Sequence, residues 1–109
     1  MLIDSLQYVL PSRAVFLQMR KANMSAVHVT VGYHEDFLGV IENLQSWNHW
    51  FEECGDLISR ATTHSDILAA NVAGKTAILF GLQNPLPFSA DLARVELLHQ
   101  LGIRFCQIT

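Results

Sequence analysis

The residues best placed to do chemistry stand where a long apolar run turns polar. Lys75 to Asn84 follows the helix-stopping Gly74 and runs through Ala77-Ile78-Leu79-Phe80-Gly81-Leu82. It then breaks at Gln83-Asn84-Pro85-Leu86-Pro87, where a strand must end. An unbroken apolar strand is one covered on both faces, and such strands belong to parallel sheets flanked by helices. Binding groups in those folds gather at the carboxyl ends of the strands, so Gln83 and Asn84 are candidate site-lining residues. Both are amides. They can orient a polar ligand through hydrogen bonds, but neither supplies the charge of a general acid, a general base or an anionic metal ligand.

A second cluster, His34-Glu35-Asp36, follows the strand Ala26-Val27-His28-Val29-Thr30-Val31-Gly32. The ligand types suit a metal or acid/base site, yet acidic residues at a helix start are also what the helix dipole favours, and capping is the preferred reading. In the strand itself, period-two alternation sets Val27, Val29 and Val31 on one face and His28 with Thr30 on the other. If the valines meet helices, His28 points to the interior and is a candidate lining residue. Parity likewise groups Leu79, Gly81 and Gln83 on one side of their strand. The histidines at 28, 34, 64 and 99 fall on different elements, and none is paired with an identifiable nucleophile. His49 is expected to face solvent and His99 to be a partly exposed structural residue. Cys54 and Cys106 show no metal-like spacing and are expected to be small buried thiols.

These residues have to be held by a chain of 109, half of it apolar and only 16% charged, against about 25% in an average soluble domain. One domain is expected, with too little polar surface for its size. A compact open sheet would explain this, as would a piece of a larger barrel, and strand count favours the barrel. The net charge of −3 leaves no basic face for nucleic acid. No apolar run approaches the roughly 20 residues of a membrane span, and the start lacks a signal-peptide pattern, so the cytoplasm is the expected location.

Taken in order, Leu2 to Tyr8 reads as a strand, and Ser12 caps a helix carrying Val15, Phe16, Met19 and Ala22. After the second strand, Phe37, Val40, Ile41, Leu44, Trp47, Trp50 and Phe51 form a helical stripe that Gly55 stops. Thr62 to Asp66 can cap a shorter helix ending at Gly74. Ser89 is expected to cap a last helix with Leu92, Val95, Leu98 and Leu101 inward, before a fourth strand from Ile103 to Thr109. The alternation predicts an α/β fold of parallel (β/α) units, four strands with right-handed crossovers. That is the amino-terminal half of a TIM-type (β/α)8 barrel, with residues 1–109 as a single half-barrel segment. No GxGxxG or GxxxxGK[ST] follows any strand, so the nucleotide-binding uses of an open doubly wound sheet find no support.

Leu97-Leu98-His99-Gln100-Leu101-Gly102-Ile103-Arg104-Phe105-Cys106-Gln107-Ile108-Thr109 resembles the helix-to-strand segment LxxLYxLGVRYLTLTH of the renal (membrane) dipeptidase family. Lys75 to Asn84 resembles that family's third strand, and Asp4-Ser5-Leu6-Gln7-Tyr8 occupies the place of its DGHND motif. The resemblance covers this whole chain and the amino-terminal third or so of a family enzyme. It implies a (β/α)8-barrel metallohydrolase holding two zinc ions and cleaving dipeptides. Carried over by position, the first-strand ligands fall at Leu6 and Tyr8 and the bridging glutamate at Gln83, none of which is a good zinc ligand. Tyr8 therefore joins His28, Gln83 and Asn84 as a lining candidate, while no catalytic residue and no metal ligand is assigned within the chain.

Two functions follow as expectations. One is a dipeptidase-like hydrolase, or its amino-terminal fragment, with these metal positions lost and a small peptide as substrate if the parent protein is active. The other is a non-catalytic barrel segment that works by self-association or by pairing with the remainder of a barrel.

Overall fold

The computed structural model describes residues 1–7 and 10–108; Tyr8 lies outside the described residues. Among the described residues five strands and four helices alternate: β1 (Ile3–Gln7), α1 (Arg13–Lys21), β2 (Ala26–Gly32), α2 (Phe37–Glu53), β3 (Ile58–Arg60), α3 (His64–Val72), β4 (Thr76–Leu82), α4 (Arg94–Gln100) and β5 (Ile103–Cys106). All pairings are parallel. The sheet is ordered β1-β2-β4, and the far edge of β4 is shared: β3 pairs Thr76 to Ile78, and β5 pairs Phe80 to Leu82. The expected count of four strands is thus one short. Ile58-Ser59-Arg60 was invisible as a strand because three residues, one of them charged, carry no alternation to read.

Each helix start is fixed locally. Ser12 Oγ accepts the Val15 N–H at 3.2 Å, and Asp36 Oδ1 accepts that of Gly39 at 3.0 Å. Thr63 and Asp66 form a reciprocal capping box at α3. The last helix departs from expectation. Ser89 closes a 3-10 turn over Leu86–Phe88, its Oγ donating to the Leu86 carbonyl, and α4 begins only at Arg94. Asp91 takes up the turn instead, accepting the Ala93 N–H at 2.9 Å. A helix this short buries one residue, Leu98, whereas Leu92, Val95 and Leu101 stay exposed. Cys54 is buried as expected, but Cys106 is exposed. It is the last residue of β5, a strand paired with β4 alone among the described strands.

The two faces of the sheet are covered differently. Helices α1, α2 and α4 lie on the valine face, where Val27, Val29, Val31, Ile78, Phe80 and Leu82 meet Phe16, Val40, Leu44, Trp47 and Leu98. The Trp47 ring sits 5.9 Å from each of Phe16, Phe51 and Phe80. On the opposite face, α3 covers the amino ends of the strands, its Ile67 and Ala70, together with Ala61 just after β3, packing on Ala26, Ala77 and Leu79. Above this floor the His28 ring leans across β4 and lies against Phe105 of β5, with centroids 4.3 Å apart. Only a residue without a side chain can lie beneath it, because a Cβ at Gly81 would stand 1.8 Å from His28 Nε2. The next level is Thr30 with Gln83. Parity thus sets His28, Thr30 and Gln83 on one face, the interior side expected of a barrel.

Gly81→Ala is expected to destabilise the chain by about 1–3 kcal/mol through overpacking. Adding His28→Ala should recover part of that loss, since the clash needs both side chains. Urea unfolding of the two single variants and the double variant checks this; strict additivity would mean that the ring does not occupy the space over Gly81.

Candidate functional site

The carboxyl ends of β2, β4 and β5 surround a cleft of about 390 Å3 lined by Tyr33, His34, Gln83, Asn84 and Gln107. Strand pairing sets its depth. The Gln83 N–H still donates to Gly32 O at 2.8 Å and the Gln107 N–H to Leu82 O at 2.9 Å, so both side chains leave the last rungs of the ladder. Gln83 Nε2 donates to Thr30 Oγ1 at 2.9 Å, across the β2–β4 pair. Asn84 ties two loops together: its Nδ2 donates to the Tyr33 carbonyl, and its Oδ1 accepts the Leu86 N–H at 3.0 Å.

Of the sequence-derived candidates, Gln83 and Asn84 share this cleft, while His28 lies one level deeper. His28 Nδ1 is 2.6 Å from the Ser5 carbonyl. A carbonyl only accepts, so Nδ1 carries the proton, and in the neutral ring Nε2 keeps its lone pair. That nitrogen is buried with no partner among the described residues, as is Gln7 Oε1 on β1. Tyr33 and Gln107 were missed as lining residues. The rule that applied to Gln83 would have found Gln107, which ends β5 as Gln83 ends β4.

The acidic cluster after β2 is structural. Asp36 caps α2, and Glu35 Oε2 accepts the N–H groups of Tyr33 at 2.7 Å and His34 at 3.1 Å. Partial burial pushes the Glu35 carboxyl up, but the N–H groups of Tyr33, Glu35 and His34 and the Asn43 side chain outweigh it and hold the group below its ordinary 4.5. The exposed His34 ring stands edge-on to Tyr33. Among the described residues, no group of three or more His, Cys, Asp and Glu side chains is placed to hold a metal ion. No described helix is long and apolar enough to cross a membrane.

No family model and no curated protein matches the chain. Among solved structures, an amidohydrolase from Pseudomonas aeruginosa matches 99% of the chain at 32% identity and a TM-score of 0.97. The chain resembles the amino-terminal segment of the membrane dipeptidase family. The probable dipeptidase PvdM from Pseudomonas aeruginosa covers all of the chain with a TM-score of 0.81 at 14% identity. A dipeptidase AC, described as a metallopeptidase, covers 96% with a TM-score of 0.73 at 10% identity. The chain spans 33%, 34% and 41% of those three proteins respectively. Its parallel sheet with alternating helices has the α/β fold of part of those TIM-barrel neighbours.

At Leu6 and Gln83, the described positions where the resemblance implies metal ligands, the side chains lack the donors that such chemistry calls for. Leu6 is half-exposed and has no donor atom in its side chain, and its N–H is held by Asp4 Oδ1. Asp4 Oδ2 is engaged by Gln7 Nε2 at 2.7 Å. Gln83 presents a neutral amide whose nitrogen is committed to Thr30, where a bridging position between two cations calls for negative charge.

Ionised Glu35 stabilises the fold above its ordinary 4.5, and that contribution is lost as pH falls through the lower folded value. Glu35→Gln should therefore be less stable at neutral pH by about 1 kcal/mol and show a shallower loss of stability below that value. Urea midpoints across an acid series measure both effects; parallel curves for the two proteins would contradict the assignment.

Proposed function

We propose that this chain belongs to a dipeptidase-like barrel whose first-half metal positions have been lost, and that its strand-end cleft takes a small peptide or related amide. The observation that carries this reading is Gln83. It stands at the end of β4 where the resemblance implies a bridging glutamate, and its amide is turned into a hydrogen bond with Thr30. A cleft bounded by three neutral amides, a tyrosine and a histidine offers donors and acceptors in pairs, which suits a peptide group. It does not supply the charge for two cations. Zinc hydrolysis through this segment is therefore not part of the proposal.

The chain is expected to purify without stoichiometric zinc and to show no turnover of simple dipeptides. Elemental analysis and a dipeptide panel test this, with Gln83→Glu as the comparison. Two zinc ions held tightly per chain, or turnover that follows zinc content, would overturn it.

A second reading, a non-catalytic segment acting by association, draws on the outer strands. Ile3 and Leu6 of β1 and Phe105 of β5 are about half exposed, and β1 has a partner on one edge among the described strands. Leaving a few hundred Å2 of such surface in water forgoes several kcal/mol at about 25 cal/mol per Å2, comparable with the stability of a domain this size. Self-association, or pairing with further barrel strands, is the expected consequence. Sedimentation of the dilute chain should show dimers or larger species, and a monodisperse monomer with a sharp two-state transition would count against this reading.

A further inference from the structure

A cavity of about 330 Å3, sharing no lining residue with the strand-end cleft, opens between the segment leading into α1 and the flank of α2. Glu35, Asn43, Ser46, Trp47, Trp50 and Pro11 line it. These residues supply one carboxylate, one amide, one hydroxyl and two indoles, with no basic side chain among the described lining residues. The geometry points to a binding site for a small organic ammonium ion, with Glu35 as its counter-charge and the indoles as its wall.

The argument rests on what surrounds Glu35. No ion pair compensates it among the described residues. Its partners are backbone N–H groups and the Asn43 amide, dipoles that fix the carboxylate in place without cancelling its charge. Asn43 is itself anchored, its Nδ2 donating to Val31 O at 2.8 Å. A fixed carboxylate in a cleft attracts a cation and repels an anion. The indoles then select the kind of cation: an alkylammonium is attracted to aromatic faces and can bury its carbon chain against them. A divalent metal ion would require several oxygen ligands, and this cavity offers one carboxylate.

Gly39 provides a second, independent indication. It lies in the first turn of α2, where glycine weakens a helix, and a Cβ there would stand 2.7 Å from Glu35 Cβ. The missing side chain leaves the space in which Glu35 folds back over the helix start. Gly39 is thus a positioning residue for the carboxylate. None of this depends on the dipeptidase-like reading, which concerns a different cleft.

The test is a titration of the purified chain, in whatever association state it adopts, with n-butylammonium chloride and with n-butanol at constant ionic strength. Tryptophan fluorescence is the readout. A saturable response is expected, with the ammonium ion binding about tenfold or more tighter than its neutral counterpart, a factor of ten being the usual worth of one good charged contact. Glu35→Gln should abolish that preference. Gly39→Ala should weaken ammonium binding severalfold even though alanine is the better helix former, with near-ultraviolet circular dichroism confirming that the fold is kept. Equal responses to the two probes, or an unchanged preference in Glu35→Gln, would overturn the proposal. Should Glu35→Gln fail to fold, wild-type ammonium affinity in a folded Gly39→Ala would do the same.

Discussion

Strand β4 has neighbours on all four sides, and the rest of the molecule is arranged to provide them. One edge is paired along Ala77 to Leu82 by β2, and the other is divided between β3 and β5. Ile78, Phe80 and Leu82 are covered by the helices of the valine face, Ala77 and Leu79 by α3. A buried backbone group without a partner is costly, so a strand so enclosed has to find ladder partners along both edges. This is why a three-residue strand is enough at β3. It closes the stretch of edge that β5 does not reach.

The features that were legible in the sequence are those with a strong local signal. The central strand, the valine strand, the long stripe of α2 and the caps at Ser12 and Thr63 all follow from periodicity and capping chemistry, and parity alone grouped His28, Thr30 and Gln83. The features that were not legible depend on tertiary contact. Ile58–Arg60 is a strand because β4 offers it an edge, not because its residues prefer one. The shift of the last helix start from Ser89 to Arg94 reflects competition between two polar residues, Ser89 and Asp91, for adjacent turns. Cys106 was misplaced because an apolar run does not reveal that its last residue ends a strand with a single described neighbour.

The site shows the same division. Gln83 and Asn84 could be located from strand ends alone, but not the use of their amides. One is turned inward to Thr30 and the other sideways to the Tyr33 carbonyl. Nor could spacing show that Glu35 is held by the N–H groups of Tyr33 and His34 instead of joining His34 and Asp36 in a ligand set. Neighbouring charged residues on a loop share a stretch of sequence, yet each is claimed by a different local geometry.

Asn84 carries a final consequence. By donating to the Tyr33 carbonyl and accepting from the Leu86 N–H, it joins the loop after β2 to the loop after β4 and stiffens the turn that follows. Two rim segments that would otherwise fluctuate separately become one body. Their conformational entropy is lost when the chain folds, before any ligand arrives, so an incoming molecule meets a preorganised rim and sacrifices little further freedom in ordering it. Selectivity at such a rim comes from shape and hydrogen-bond matching more than from closure around the guest.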